Sequence, residues 1–148
     1  MSTFLRTISP ETLKAYQEAI FSINAKNQVI TFQVDHACGE LSSFLKLMGV
    51  SGAALITAYN PYSEALSRED NERLQAQLAQ ELKNRNIAFI EGEGRDAAGL
   101  WDAEPSLFAL NISLETAQRL ANQFEQNAFV WVEGSAPPSL RLMFPVST

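Results

Sequence analysis

Between the strand signal IAFIE at residues 87–91 and the apolar run SLFALNI at 106–112 lie fourteen residues without helical periodicity. A parallel return to a sheet needs a crossover of a dozen or more residues, usually a helix. The missing helix predicts that the chain turns back antiparallel here. Elsewhere helix and strand patterns alternate, which predicts parallel neighbours joined by right-handed crossovers. The expected class is α/β, with α+β as the other reading. One domain over residues 1–148 would carry a mixed, mostly parallel sheet of about six strands, with one antiparallel switch, a C-terminal hairpin and helices packed on the sheet.

The local signals are these. Ser9 and Pro10 open a helix, and Leu13, Tyr16, Ile20 and Ile23 extend it at helical spacing over 10–24. QVITFQVD, 28–35, alternates as a strand with one wet face. Leu41, Phe44, Leu45 and Met48 mark a helix ended by Gly49, and the apolar strand GAALITAYNP is stopped by Asn60 and Pro61. Ser67 and Asp70 cap a helix carrying Leu74, Leu78 and Leu82, and Asn86 is its left-handed stop. Ser113 caps the helix of Leu114, Ala117, Leu120, Ala121 and Phe124. Strand 127–133 then pairs with 139–144 across EGSAPP.

Composition excludes several classes. A chain of 148 residues, 46 % hydrophobic and 19 % charged, can bury its own core as one domain. Its single Cys rules out an internal disulfide framework. MSTFLRTISPE lacks the apolar region of a signal peptide, and no run approaches the ~18 apolar residues of a membrane span, so a bacterial cytoplasmic location is the default expectation. A net charge of -6 and a pI near 4.8 argue against nucleic acid as a partner.

The antiparallel switch has a geometric consequence. It sets the start of strand 106–112 at the sheet end where strands 53–59 and 87–91 finish, and strand 127–133 begins there too. Asn60, Asn71, Glu91, Glu93, Arg95, Glu104, Ser106, Gln126 and Asn127 are expected to meet at that end, with Trp101 as a loop aromatic able to line a pocket. Glu91, Glu93 and Arg95 share strand parity. The two carboxylates are the candidate catalytic pair, as base or Mg²⁺ ligands, and Arg95 the candidate grip on an anion. The plain readings are that Arg95 neutralises the carboxylates and that the asparagines are turn and cap residues. Asp35, His36 and Cys38 are metal-ligand types without a fourth partner, so no metal site is assigned there. No G-x-S-x-G elbow, dinucleotide fingerprint or P-loop is present.

TAYNP, Asn71, the GEG of 92–94, Trp101 followed by EPS, and QNAFVW, taken in order, resemble an uncharacterised bacterial family, domain of unknown function 3293. The resemblance spans about residues 53–133 and brings no reaction with it. It implies Asn60, Asn71, Glu104, Gln126 and Asn127 as positions to test. Asn86 stands where the family commonly has glycine and can adopt the same left-handed turn. Glu125 stands where glycine often precedes Gln-Asn, which leaves the backbone there open. Three functional readings follow. The first is a crevice for a small polar or phosphorylated ligand, with metal-assisted hydrolysis conceivable. The second is a non-enzymatic module that meets a protein partner, and the third an acidic immunity or inhibitor protein.

Overall fold

The computed structural model describes residues 6–99 and 102–148. Helix α1 (Pro10–Glu18) begins where the Ser9 hydroxyl accepts from the Thr12 amide and Pro10 is preset for the first turn. It ends earlier than its periodicity predicts. Ala19 turns the chain extended, directly into β1 (Ile20–Ala25), which returns through Lys26 and Asn27 as β2 (Gln28–Phe32). Ile20 and Ile23 fit a helical stripe, but Phe21, Ile23 and Ala25 also alternate, and Asn27 at φ 70° supplies a two-residue hairpin turn. The helix expected over 10–24 is therefore a helix followed by a strand.

The remaining elements are α2 (Gly39–Met48), β3 (Gly52–Ile56), a 3-10 turn (Pro61–Ser63), α3 (Arg68–Asn84), β4 (Phe89–Arg95), β5 (Glu104–Leu110), α4 (Leu114–Gln123), β6 (Ala128–Glu133) and β7 (Ser139–Leu142). Ser67 and Ser113 cap α3 and α4 by accepting from the amides of Asp70 and Thr116. Asn86 and Glu125 both hold the left-handed turn, at φ 59° and 55°.

The sheet overturns the mostly parallel expectation. Seven strands run in the order β2-β1-β4-β5-β3-β6-β7, and every neighbouring pair is antiparallel. The crossovers do return each strand in the same direction as the last: β3 and β4 point one way, β5 and β6 the other. Each pair, however, is split by a strand of the opposite sense, β5 between β3 and β4, and β3 between β5 and β6. This is the β-α-β-β-α-β arrangement of ferredoxin-like folds, α+β in class, with the β1-β2 hairpin and β7 added at its edges. A crossover fixes strand direction but not adjacency, and adjacency is what local signals do not carry.

The sheet is also curled. Asp35, three residues beyond β2, donates its backbone N–H to the Pro138 carbonyl, just before β7, at 2.8 Å. In a flat sheet β2 and β7 would stand six strand spacings, about 29 Å, apart. Curling gives a concave face, where Phe32 of β2 reaches within 6.5 Å of Phe108 of β5, ring centre to ring centre. Ile23, Leu55, Val130 and Val132 join them, with Leu41 and Leu45 of α2 laid on top. On the other face Ala54, Leu107, Ala109 and Trp131 pack against Leu78 and Leu82 of α3 and Ala117 and Leu120 of α4. Among the described residues no helix is long and apolar enough to cross a membrane.

Candidate functional site

The concave face is not filled to its end. Where β3 and β4 finish and β5 and β6 begin, a cavity of about 80 Å³ remains, walled by Phe21, Leu55, Val130 and Leu140 and roofed by Tyr16 and Ala19 of the α1 segment. Its polar lining comes from Thr57, Asn60, Ser63, Glu104, Ser106 and Gln126. Strand parity explains the selection. Gly94 pairs with Glu104 and Gly92 with Ser106, so these four share the face of Phe108, which is the concave one.

Glu104 is the unusual group. It sits half-buried at the start of β5, and among the described residues its Oε2 is closed to solvent without a hydrogen-bond partner. Burial raises its pKa from the ordinary 4.5 to about 7, because a carboxylate cut off from water is disfavoured relative to the neutral acid. Near neutral pH it can therefore either hold or release a proton. Among the described residues no Lys, Arg or His lines the cavity.

The other polar residues build the walls around it. The chain leaving β3 is pinned from three sides: Gln75 Oε1 accepts from the Ala58 amide, Asn71 Oδ1 from the Asn60 amide, and the Tyr59 carbonyl from Gln126 Nε2. Asn71 Nδ2 in turn donates to Asn60 Oδ1 at 2.8 Å, and the Leu66 amide donates to the same oxygen. These bonds hold a turn in which Asn60, Tyr62 and Ser63 all have positive φ, at 46°, 56° and 63°. Non-glycine residues persist in that region only where the surroundings enforce it. The product is the placement of Ser63, whose hydroxyl lies 2.7 Å from Tyr16 Oη while Asn127 Nδ2 donates to both oxygens.

The structure thus brings together Asn60, Glu104, Ser106 and Gln126 at the cavity, with Asn71 and Asn127 in the layer that supports it. It does not bring Glu91, Glu93 and Arg95 there. They do share parity, but it is the parity of Leu107 and Pro105, which faces the α3 and α4 side of the sheet. Arg95 instead borders an open groove beside Thr31, Gln33, His36 and Cys38. Among the described residues no three His, Cys, Asp or Glu side chains are grouped to hold a metal ion, Glu91 and Glu93 included. Trp101 lies outside the described residues.

Tyr16, Phe21 and Ser63 carried no sequence signal for a site. Tyr16 reads as a core position of a helical stripe, Phe21 as part of the same helix, and Ser63 as an ordinary residue after Asn-Pro. Only the curl of the sheet brings α1 and β1 over the end of β3.

A family model described as protein of unknown function (DUF3293) matches residues 56–129. The matched span runs from the last residue of β3 into β6 and takes in Asn60, Asn71, Glu104, Ser106, Gln126 and Asn127. No curated protein and no solved structure matches the chain.

Proposed function

The chain belongs to the DUF3293 family, and from that premise we propose that it binds a small molecule, with a largely apolar body and one polar head, in the cavity at the end of its concave face. The observation that carries this reading is Glu104, a carboxyl with a buried, unpartnered Oε2, among the lining residues of a cavity that combines apolar walls with polar groups at one end. A carboxyl group in such a place is costly to the fold unless something supplies its missing partner. An apolar cavity with a few convergent polar groups and one perturbed acid is the usual form of a ligand site. A metal-assisted hydrolytic site is not part of this reading, because Glu91, Glu93 and Arg95 project from the opposite face.

Ligand-observed NMR on the full chain with a library of small fragments tests it. Fragments that bind the wild type should lose their signal in Ala128→Leu, since Ala128 lines the cavity and a larger side chain fills it. If no fragment binds, or if the bound ones are indifferent to Ala128→Leu, the reading is wrong.

A further inference from the structure

Resting on the ligand-binding reading above, we propose that the molecule this cavity takes is a small organic cation, an ammonium group on a compact apolar body, with Glu104 as its counter-charge. The cavity's one carboxyl group, that of Glu104, has an oxygen shut off from water and from every donor among the described residues, and no basic side chain is among the described lining residues. A protein that needed only to neutralise Glu104 could have placed a Lys or Arg beside it. Here the nearest guanidinium on β4, that of Arg95, faces the other side of the sheet.

What the cavity does offer suits an ammonium group. Such a group carries three donors and no acceptor. The Glu104 carboxyl can accept one, and the Ser106 hydroxyl oxygen, whose proton goes to the Glu104 backbone carbonyl, is a further acceptor on the same lining. Phe21 adds a π-face. Its ring covers Gly94, so closely that a Cβ there would stand 3.0 Å from Phe21 Cε1, and Gly94 is the register partner of Glu104. A cation against the carboxyl is therefore beside an aromatic ring as well, which favours cations over neutral heads. Leu55, Val130 and Leu140 accommodate the apolar body.

The competing possibility is a neutral ligand that accepts a hydrogen bond from protonated Glu104, and the two differ in the sign of their pH dependence. Tyr16, from α1, is the other titratable side chain lining the cavity. β1, β3, β6 and β7 contribute Phe21, Leu55, Val130 and Leu140, while Glu93 on β4 points to the opposite face and Asp102 stands exposed before β5. Glu104 therefore governs the change near neutrality. A cation binds the ionised form, so its affinity rises with pH; an acceptor binds the acid form, so its affinity falls.

The experiment measures dissociation constants of butylamine, butanol and butyramide for the full chain by NMR between pH 6 and 8, with wild type and Glu104→Gln. Butylamine should bind best at pH 8 and tighten about ten-fold over the interval, as the ionised fraction rises through a pKa of about 7. Butanol should bind more weakly with no such trend, and Glu104→Gln should abolish the preference for the amine. If butyramide is preferred, weakens as pH rises and still binds Glu104→Gln, the cation assignment is overturned while the ligand cavity stands. If none of the three binds and the fragment library also fails, the cavity reading falls with it. The wild-type pH profile decides the matter even if the glutamine variant folds poorly.

Discussion

Asn60 and Asn71 hold each other through two 2.8 Å hydrogen bonds, one from the Asn60 amide to Asn71 Oδ1 and one from Asn71 Nδ2 to Asn60 Oδ1. The pair spans the strained turn after β3, and Asn71 is only 4 % exposed, so water cannot replace it. Asn71→Leu leaves a backbone amide and an amide oxygen of Asn60 short of partners, and urea unfolding should show a loss of about 2–4 kcal/mol. Asn71→Asp keeps the acceptor for the Asn60 amide but sets an oxygen against Asn60 Oδ1 where a donor stood, in a buried place, and should cost at least as much as Asn71→Leu at neutral pH. A markedly smaller loss for Asn71→Asp would mean that the bond from Nδ2 contributes nothing.

Stability should fall as pH rises from about 4.5 to about 7. The pKa of Glu104 is higher in the folded chain, about 7 against 4.5, so between those values the native state binds more protons than the unfolded one. Glu104 thus imposes no penalty below pH 4.5 and its full penalty, up to about 3 kcal/mol, above pH 7. Unfolding free energies across that interval for wild type and Glu104→Gln check this, and the glutamine variant should lack the decline.

Two glycines on one strand should respond differently to alanine. A Cβ on Gly92 would meet the Ser22 carbonyl oxygen at 2.5 Å, and backbone in the neighbouring strand cannot give way without parting β1 from β4. Gly92→Ala should cost about 2–3 kcal/mol. On Gly94 the obstacle is the Phe21 ring, which can shift. Gly94→Ala should therefore cost less than Gly92→Ala in thermal unfolding, yet weaken ligand binding more than its stability loss implies, because the displaced ring moves into the cavity.

Much of this architecture was legible in residue patterns. Ser9, Ser67 and Ser113 do cap helices, Asn86 does make a left-handed stop, and the helix-free segment does mark an antiparallel return from β4 to β5. That return is also why Asn60, Glu104, Ser106 and Gln126 meet, since their gathering depends on strand directions alone. Strand adjacency was not legible. Nothing within residues 52–133 says that β5 inserts between β3 and β4, because that choice is made by long-range packing of the two faces. Ile20–Ala25 satisfied two periodicities at once, and the Asn27 turn decided between them. Position along the chain points Glu91, Glu93 and Arg95 to the site, whereas parity sends them to the other face.

That parity carries its own test. Glu93→Ala and Arg95→Ala should leave fragment binding in the cavity unchanged within about two-fold, since exposed or half-exposed side chains on the opposite face alter it only through weak, screened fields. A ten-fold loss in either variant would show that the two faces communicate.

Glu125 holds φ 55° with a side chain that disfavours it. Glu125→Gly removes the steric penalty but adds freedom to the unfolded chain, and the balance should be a gain of about 0.5–1 kcal/mol. The unfolding midpoint in urea reads this directly.

The bond from Asp35 to Pro138 joins positions about a hundred residues apart in the chain. During synthesis the β1-β2 hairpin leaves the ribosome early, yet the strands that complete its curved seat are among the last to emerge. Until then Phe21, Phe32 and Val34 lack much of their final cover. The nascent protein therefore carries an adhesive surface for most of its translation, and pairing of that hairpin with another chain is the misassembly to which this topology is most exposed.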